Sequence, residues 1–152
     1  MYGSRGCPRR CNFCAAATLY YDELNWRPRN VDDVVKEIQI LHEKYPEMEG
    51  VFFDEEVHNI KKSFNISLAK AIRQAGLQEL KYEAMCEYAS LDEEAMEEMR
   101  EAGYYKIRFG IETGSDRVAE KMTLGKKHDL KKLKSMVEYG KSIGMLFYGT
   151  IS

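Results

Sequence analysis

Short apolar runs alternate with longer stretches of helical periodicity along the 152 residues of the chain. The apolar runs predict strands just before residue 7 and at about 51–53, 81–86, 105–111 and 145–151. Alternating strands and helices favour a parallel sheet with the helices packed outside it. Right-handed crossovers would curl such a sheet into a barrel or into an open doubly wound sheet.

The predicted helices carry start and stop signals. Asn30 fits an N-cap of the first helix, and Gly76 ends the second. Ser90 and Glu93 have the S-x-x-E spacing of a capping box, which predicts the start of the third helix. The residues Met96 and Met99, at helical spacing, are expected in the core. Two later helices are predicted at about 116–122 and 130–143.

In barrels and in open doubly wound sheets alike, functional side chains gather at the carboxyl edge, where the strands end. Four stretches of this chain follow predicted strands: residues 7–14, 54–56, 86–88 and 110–115. The rule therefore predicts that the cysteines and the carboxylates lie together at this carboxyl edge, which would form the mouth of the active site. Taken without that rule, Asp54, Glu55 and Glu56 would equally suit a solvated turn.

Three cysteines, Cys7, Cys11 and Cys14, fall in the first of these stretches with C-x3-C-x2-C spacing. Three thiolates can hold a four-iron cluster by three corners, which leaves one iron without a protein ligand. A catalytic metal needs such an open position, whereas structural zinc is closed by four ligands. The chain has 4 cysteines, too few for a disulfide scaffold. We therefore expect metal ligands in a reducing compartment, the cytoplasm.

Other interpretations of the cysteines stay open at this point. A structural zinc site could borrow a fourth ligand from His58 or Cys86, and a conventional electron-carrier cluster would need Cys86. Cys86 is better interpreted as a small buried hydrophobe. The histidines show no ligand spacing, so surface or capping roles are expected for them.

The overall charge and hydropathy exclude several classes of function. Lys and Arg total 23 and Asp and Glu total 25, so the net charge of −2 does not indicate a nucleic-acid partner. No apolar run approaches the roughly 20 residues of a transmembrane helix. The first residues lack the apolar core of a signal peptide.

The run CPRRCNFC at 7–14, with an aromatic residue before its last cysteine, resembles the signature of the radical S-adenosylmethionine (radical SAM) superfamily. The resemblance covers nearly the whole chain and is strongest to enzymes that often follow a cobalamin-binding domain and to methylthiotransferases. Further matching stretches lie at 4–8, 26–30, 52–55, 90–94 and 107–115. The fold implied is α/β, a partial TIM-like (βα) barrel of parallel strands with about five βα units and an incomplete sixth.

The resemblance implies a [4Fe-4S] cluster on Cys7, Cys11 and Cys14. Its open iron would bind S-adenosylmethionine, and one electron would split the sulfonium to give methionine and a 5′-deoxyadenosyl radical. The remaining cofactor contacts are implied residue by residue. Phe13 would lie against the adenine, Asp54 and Glu55 would receive the methionine amino group, and Glu112 would reach the ribose or methionine part. Ser115 is a weaker candidate with a competing role as a helix N-cap.

Two departures from the family pattern stand out. Many relatives carry an arginine shortly after the third strand, and residues 86–89 contain none. The chain also stops where a glycine-rich turn is expected after the fifth strand. We therefore expect residues 1–152 to be a single radical SAM core domain, truncated at both ends.

The partners implied by the resemblance are S-adenosylmethionine, an unknown substrate and an electron donor such as flavodoxin or ferredoxin. Cobalamin, if used, would come through a domain missing from this chain. The unpaired strand edges of a partial barrel favour dimerisation.

Overall fold

The computed structural model describes residues 1–23, 25–122 and 124–151. Its centre is a four-stranded parallel sheet in the order β3-β4-β5-β6. In chain order the strands are β1 (Ser4–Arg5), β2 (Arg27–Pro28), β3 (Gly50–Phe53), β4 (Lys81–Met85), β5 (Tyr104–Glu112) and β6 (Leu146–Ile151). The helices are α1 (Val31–Lys44), α2 (Lys62–Gln74), α3 (Glu93–Glu101), α4 (Asp116–Lys121) and α5 (Leu130–Ser142). A π-helical turn at Ala16–Tyr20 and a 3-10 turn at Tyr88–Ser90 complete the order.

The α/β architecture predicted from the alternating pattern is confirmed, but the first strand differs from the prediction. β1 pairs antiparallel with β2 in a separate two-stranded sheet. The chain reaches the parallel sheet earlier, because the amino group of Met1 donates to the Phe52 carbonyl at 2.7 Å. The Asp54 amide donates back to the Met1 carbonyl at 3.0 Å. The chain therefore pairs with the edge of the parallel sheet only at Met1, within the described residues, and then leaves it to form β1 and the cysteine loop.

Helix starts follow the predicted chemistry with one correction. The Asn30 side chain accepts from the Asp32 amide at 2.8 Å and caps α1. The capping box predicted at Ser90 is wrong, because Asp92 caps α3 by accepting from the Ala95 amide at 2.9 Å. Ser90 instead belongs to the 3-10 turn that precedes this helix.

The core lies between the sheet and the helices. The rings of Phe53, Tyr82 and Tyr104 come from three neighbouring strands, stack on one another and are essentially inaccessible. Met96 and Met99 of α3 are buried in the same core, as their spacing predicted. Each buried side chain of this size stabilises the fold by about 1.5–3 kcal/mol relative to an exposed one.

β6 is one edge of the described sheet, and its apolar side chains Leu146, Tyr148 and Ile151 are largely exposed. Among the described helices, none has the length and apolar character needed to cross a bilayer.

Candidate active site

A cavity of about 230 Å³ opens at the carboxyl edge of the sheet. The cysteine loop forms one wall, and the ends of β4, β5 and β6 contribute Met85, Gly110 and Thr150 to the floor. Of the residues predicted for the site, it brings together Cys7, Cys11, Cys14, Phe13 and Glu112. The strand-end rule therefore placed the cysteines and a carboxylate correctly at one mouth.

The cysteine loop is a tight turn. The Cys14 amide donates to the Cys11 carbonyl at 3.0 Å, and Gly6, just before Cys7, has a φ of +87° that favours glycine. Burial raises the pKa of the Cys7 thiol, and the neighbouring Cys11 and Cys14 thiols raise it further.

The four cysteines form no disulfide, and the described residues contain no group of three or more His, Cys, Asp or Glu side chains that converges on a single metal ion. A cubane needs no such convergence, because each cysteine ligates a different iron.

Three glutamates at strand ends hold this loop from below. Glu55 accepts from the Ser4 hydroxyl, Glu56 accepts from the Gly6 amide at 3.1 Å, and Glu87 accepts from Arg9 Nη2 at 2.6 Å. Glu56 also accepts from the Tyr21 hydroxyl, which ties the following segment to the same strand end. The loop is therefore fixed at three points around Cys7.

The acids predicted to receive the methionine amino group do not line the cavity. Asp54 is exposed, and the Glu55 side chain is fully buried in contact with Ser4 and with Nδ1 of His58. The surface or capping role expected for His58 is wrong. Its ring is completely buried, and its Nε2 lies 2.9 Å from the Tyr104 hydroxyl. From the 54–57 segment, Glu56 and Val57 are the residues that face the cavity.

Glu112 ends β5 and has a φ of +67°, a left-handed conformation that non-glycine residues rarely adopt. Its carboxylate lies over Gly110, where a Cβ would approach Oε1 to 2.1 Å. Lys126 Nζ donates to this carboxylate at 2.5 Å and to the Gly110 carbonyl at 2.9 Å. The strained backbone and the lysine together place Glu112 at the cavity wall.

Phe13 lines the cavity with 46 % of its surface exposed, so its ring has an open face. Ser115 is not among the lining residues; its hydroxyl accepts from the Val118 amide and caps α4. Cys86 is a buried core residue, as expected, and it also reaches the cavity floor. Burial, with the nearby Glu55, raises the pKa of the Cys86 thiol far above its ordinary value.

Several site residues had little or no sequence signal. Arg9 and Glu87 pair across the cavity wall, and Asn59 fixes the Glu87 backbone through hydrogen bonds of 2.7 and 2.9 Å. Lys126 lies in a loop, and the preceding residue, Gly125, packs on the backbone of Arg10 and Cys11. The strand-end rule placed residues 86–88 at this edge but did not single out Glu87, whereas the role of Lys126 depends on tertiary contacts.

The composition of the site suits a cofactor that is ligated by cysteine sulfurs and makes further polar contacts with the cavity wall. Three thiols come from one loop, and Arg9 Nε and Glu87 Oε1 are buried without a hydrogen-bonding partner among the described residues. Both residues line the cavity. Thiolate donors are the usual ligands of iron–sulfur clusters, so the residues present fit such a cluster.

Residues 1–151 match the model of the radical SAM superfamily. The chain belongs to the radical SAM superfamily. The resemblance carried by residues 7–14 is thereby confirmed at the level of the family.

Two curated relatives of this radical SAM chain are methyltransferases. An uncharacterized methyltransferase of Pyrococcus horikoshii is 35% identical over 118 residues, which are 77% of this chain and 25% of the relative. The cytidylyl-2-hydroxyethylphosphonate methyltransferase of Streptomyces wedmorensis is 30% identical over 149 residues, covering 98% of this chain and 27% of the relative. The chain thus spans about a quarter of the length of these relatives.

Solved radical SAM structures share the fold. The methyltransferase TsrM from Kitasatospora setae, solved with tryptophan and a SAM analogue, superposes with a TM-score of 0.85 at 17% identity, covering 98% of this chain and 29% of TsrM. TsrM has also been solved with cobalamin and a [4Fe-4S] cluster. The cobalamin-dependent enzyme OxsB superposes with a TM-score of 0.81 at 16% identity, covering 99% of this chain and 23% of OxsB. The predicted partial barrel of parallel strands is confirmed by these matches.

Proposed function

We propose that this chain is the catalytic core of a radical SAM enzyme. The observation that carries the proposal is the cavity at the carboxyl edge of the sheet, where Cys7, Cys11 and Cys14 lie beside residues from the strand ends. This edge is where parallel α/β folds place their chemistry. Membership of the family and the C-x3-C-x2-C spacing support the same assignment.

In this proposal Cys7, Cys11 and Cys14 are the three protein ligands of a [4Fe-4S] cluster. When bound and reduced, the cluster supplies the one electron that splits the sulfonium of S-adenosylmethionine into methionine and a 5′-deoxyadenosyl radical. The protein's own contribution is to hold the three thiols on a loop that is fixed at Ser4, Gly6 and Arg9.

The walls of the cavity offer contacts to S-adenosylmethionine. We assign Phe13 to the adenine, because its exposed face lines the cavity, and Glu112 to hydroxyl or ammonium groups, because carboxylate oxygens accept hydrogen bonds. From the strand-end acids we favour Glu56 with Val57, since Asp54 and Glu55 do not reach the cavity. Ser115 is better explained by its capping bond than by ligand contact.

Methyl transfer is the reaction class that the curated relatives favour. Cobalamin would then be a second cofactor bound outside the described residues, and a flavodoxin or ferredoxin would deliver the electron. We place residues 1–152 in one domain, and the lack of a disulfide among its four cysteines agrees with the reducing cytoplasm. The exposed edge of β6 is the candidate contact for a dimer.

Anaerobic reconstitution with iron and sulfide tests the proposal. With dithionite and S-adenosylmethionine, the wild-type chain should release methionine and 5′-deoxyadenosine, and a Cys14→Ala variant should not. A folded wild-type chain that holds iron and yields neither product would contradict the enzyme assignment. That result would favour a non-catalytic iron–sulfur domain, and binding of zinc without iron would favour a structural zinc site.

A further inference from the structure

A charged cluster lies directly beneath the proposed active site on the inner face of the sheet. Met85, Gly110 and Thr150 form the cavity floor. Residues two positions earlier on a strand point to the same face. Those residues are Glu83 on β4, Arg108 on β5 and Tyr148 on β6, and the strand pairing aligns Arg108 with Tyr148.

One carboxylate in this cluster serves two cations. Glu83 accepts from Arg108 Nε, and its other oxygen lies 2.8 Å from Lys106 Nζ and 3.3 Å from the Tyr105 hydroxyl. The Glu83 side chain is 8% exposed, whereas those of Arg108 and Lys106 are 36% and 25% exposed. The Glu83 carboxylate is therefore buried beneath two partly accessible cations. Two positive charges against one negative charge leave the group of three with a net charge of +1.

Aromatic rings hold the arginine in place. The guanidinium carbon of Arg108 lies 4.8 Å from the ring centre of Phe52 and 5.5 Å from that of Tyr148. Such stacking restricts a flexible side chain and leaves the edge of the guanidinium available. The Nε–H bonded to Glu83 is one of five N–H donors of the guanidinium.

We propose that Arg108 and Lys106 bind an anionic group of the substrate, a carboxylate or a phosphoryl group. This inference rests on the proposed function, because it treats the cavity above as the place of reaction. Arg108 and Lys106 lie two and four residues before Gly110 on β5, so the charged group of the substrate would bind farther from the carboxyl edge than its reacting carbon. Glu83 holds both cations in position rather than contacting the substrate.

Binding of inorganic phosphate and, separately, of acetate to the purified chain tests the proposal. Calorimetry or amide NMR titration should show saturable binding of at least one anion, and the stronger of the two identifies a phosphoryl or a carboxylate site. Arg108→Gln should weaken that binding about tenfold or more, since a charged hydrogen bond is lost. Lys106→Gln should weaken it as well, and Arg108→Lys should retain part of it.

The matched control is Lys134→Gln, which removes one positive charge from an exposed position on α5. It should leave the affinity unchanged. Absence of saturable binding by the wild-type chain, or equal affinities in all folded variants, would overturn the proposal and leave the cluster a structural ion-pair ladder.

Thermal unfolding identifies any variant that fails to fold, in which case Lys106→Gln and Arg108→Lys decide. These titrations need neither an iron–sulfur cluster nor a reductant, so their failure is distinguishable from a failure of S-adenosylmethionine cleavage.

Discussion

Arg9, between the first two cysteines, donates to Glu87 at the end of β4 at 2.6 Å. The Glu87 side chain is 3% exposed, and it also accepts from the Ser90 hydroxyl at 2.7 Å. A guanidinium from the cysteine loop therefore reaches the end of β4. This pair connects the proposed cluster ligands directly to the sheet.

Arg9→Ala should lower both stability and iron binding. The substitution leaves Glu87 buried without its cation, which costs roughly 1–3 kcal/mol for an unpaired buried acceptor. The thermal midpoint and the iron content after anaerobic reconstitution measure the two effects. Arg10→Ala, which removes an exposed arginine from the same loop, should change neither. Equal losses in both variants would mean that general loop charge, not this pair, matters.

The location of the active-site mouth at the carboxyl edge could be predicted from the sequence, whereas the pairing of Arg9 with Glu87 could not. Strand ends are recognisable because apolar periodicity stops there, so the stretch around Glu87 was assigned to the correct edge. Which partner an acid meets depends on how the loop folds back over the sheet. Arg9 and Glu87 are 78 positions apart, and no local pattern records such a contact.

Cys86 provides a test of how many cysteines bind iron. Cys7→Ala, Cys11→Ala and Cys14→Ala should each lose most of the iron and the visible absorbance of the reconstituted chain. Cys86→Ala should keep both, because its thiol is buried in the core and its raised pKa disfavours the thiolate that metals require. Loss of iron in Cys86→Ala, with an unchanged thermal midpoint, would point to a fourth cysteine ligand.

Glu55 and Glu112 should respond differently to loss of charge. Glu55→Gln disturbs the buried contacts with Ser4 and His58 and should lower the free energy of unfolding by roughly 1–3 kcal/mol. Glu112→Gln should instead weaken S-adenosylmethionine binding about tenfold, as expected for a charged hydrogen bond. Denaturant unfolding and calorimetry on the reconstituted chain separate the two.

The control for this pair is Tyr104→Phe, which removes the hydroxyl beside His58 without touching a charge. It should lower stability less than Glu55→Gln and leave the affinity for S-adenosylmethionine unchanged. A weaker affinity in Glu55→Gln at full stability would restore the sequence-based prediction for that residue.

For Glu55, the resemblance to the radical SAM family implies contact with the methionine amino group. The Glu55 side chain is instead fully buried against His58, whose other ring nitrogen contacts the Tyr104 hydroxyl. The burial of Glu55 and the error for His58 have one physical cause. A buried acid and a buried histidine satisfy each other, and neither has a periodic signature.

Gly125 offers the sharpest test of how the loop at 124–129 supports the cysteines. A Cβ at this position would lie 2.4 Å from the Arg10 amide nitrogen and 2.7 Å from that of Cys11. Backbone atoms cannot rotate away from such a contact, so Gly125→Ala should push the cysteine loop out of place. We expect less iron per chain after reconstitution and faster loss of iron to a chelator.

The matched control is Gly114→Ala, because a Cβ there meets no atom within 4 Å. That variant should bind iron like the wild type. Because Gly125 touches the cysteine loop through backbone atoms, its substitution should affect iron more than the far-ultraviolet spectrum of the sheet and helices. Normal iron binding in Gly125→Ala would show that the two loops can separate without consequence for the cysteines.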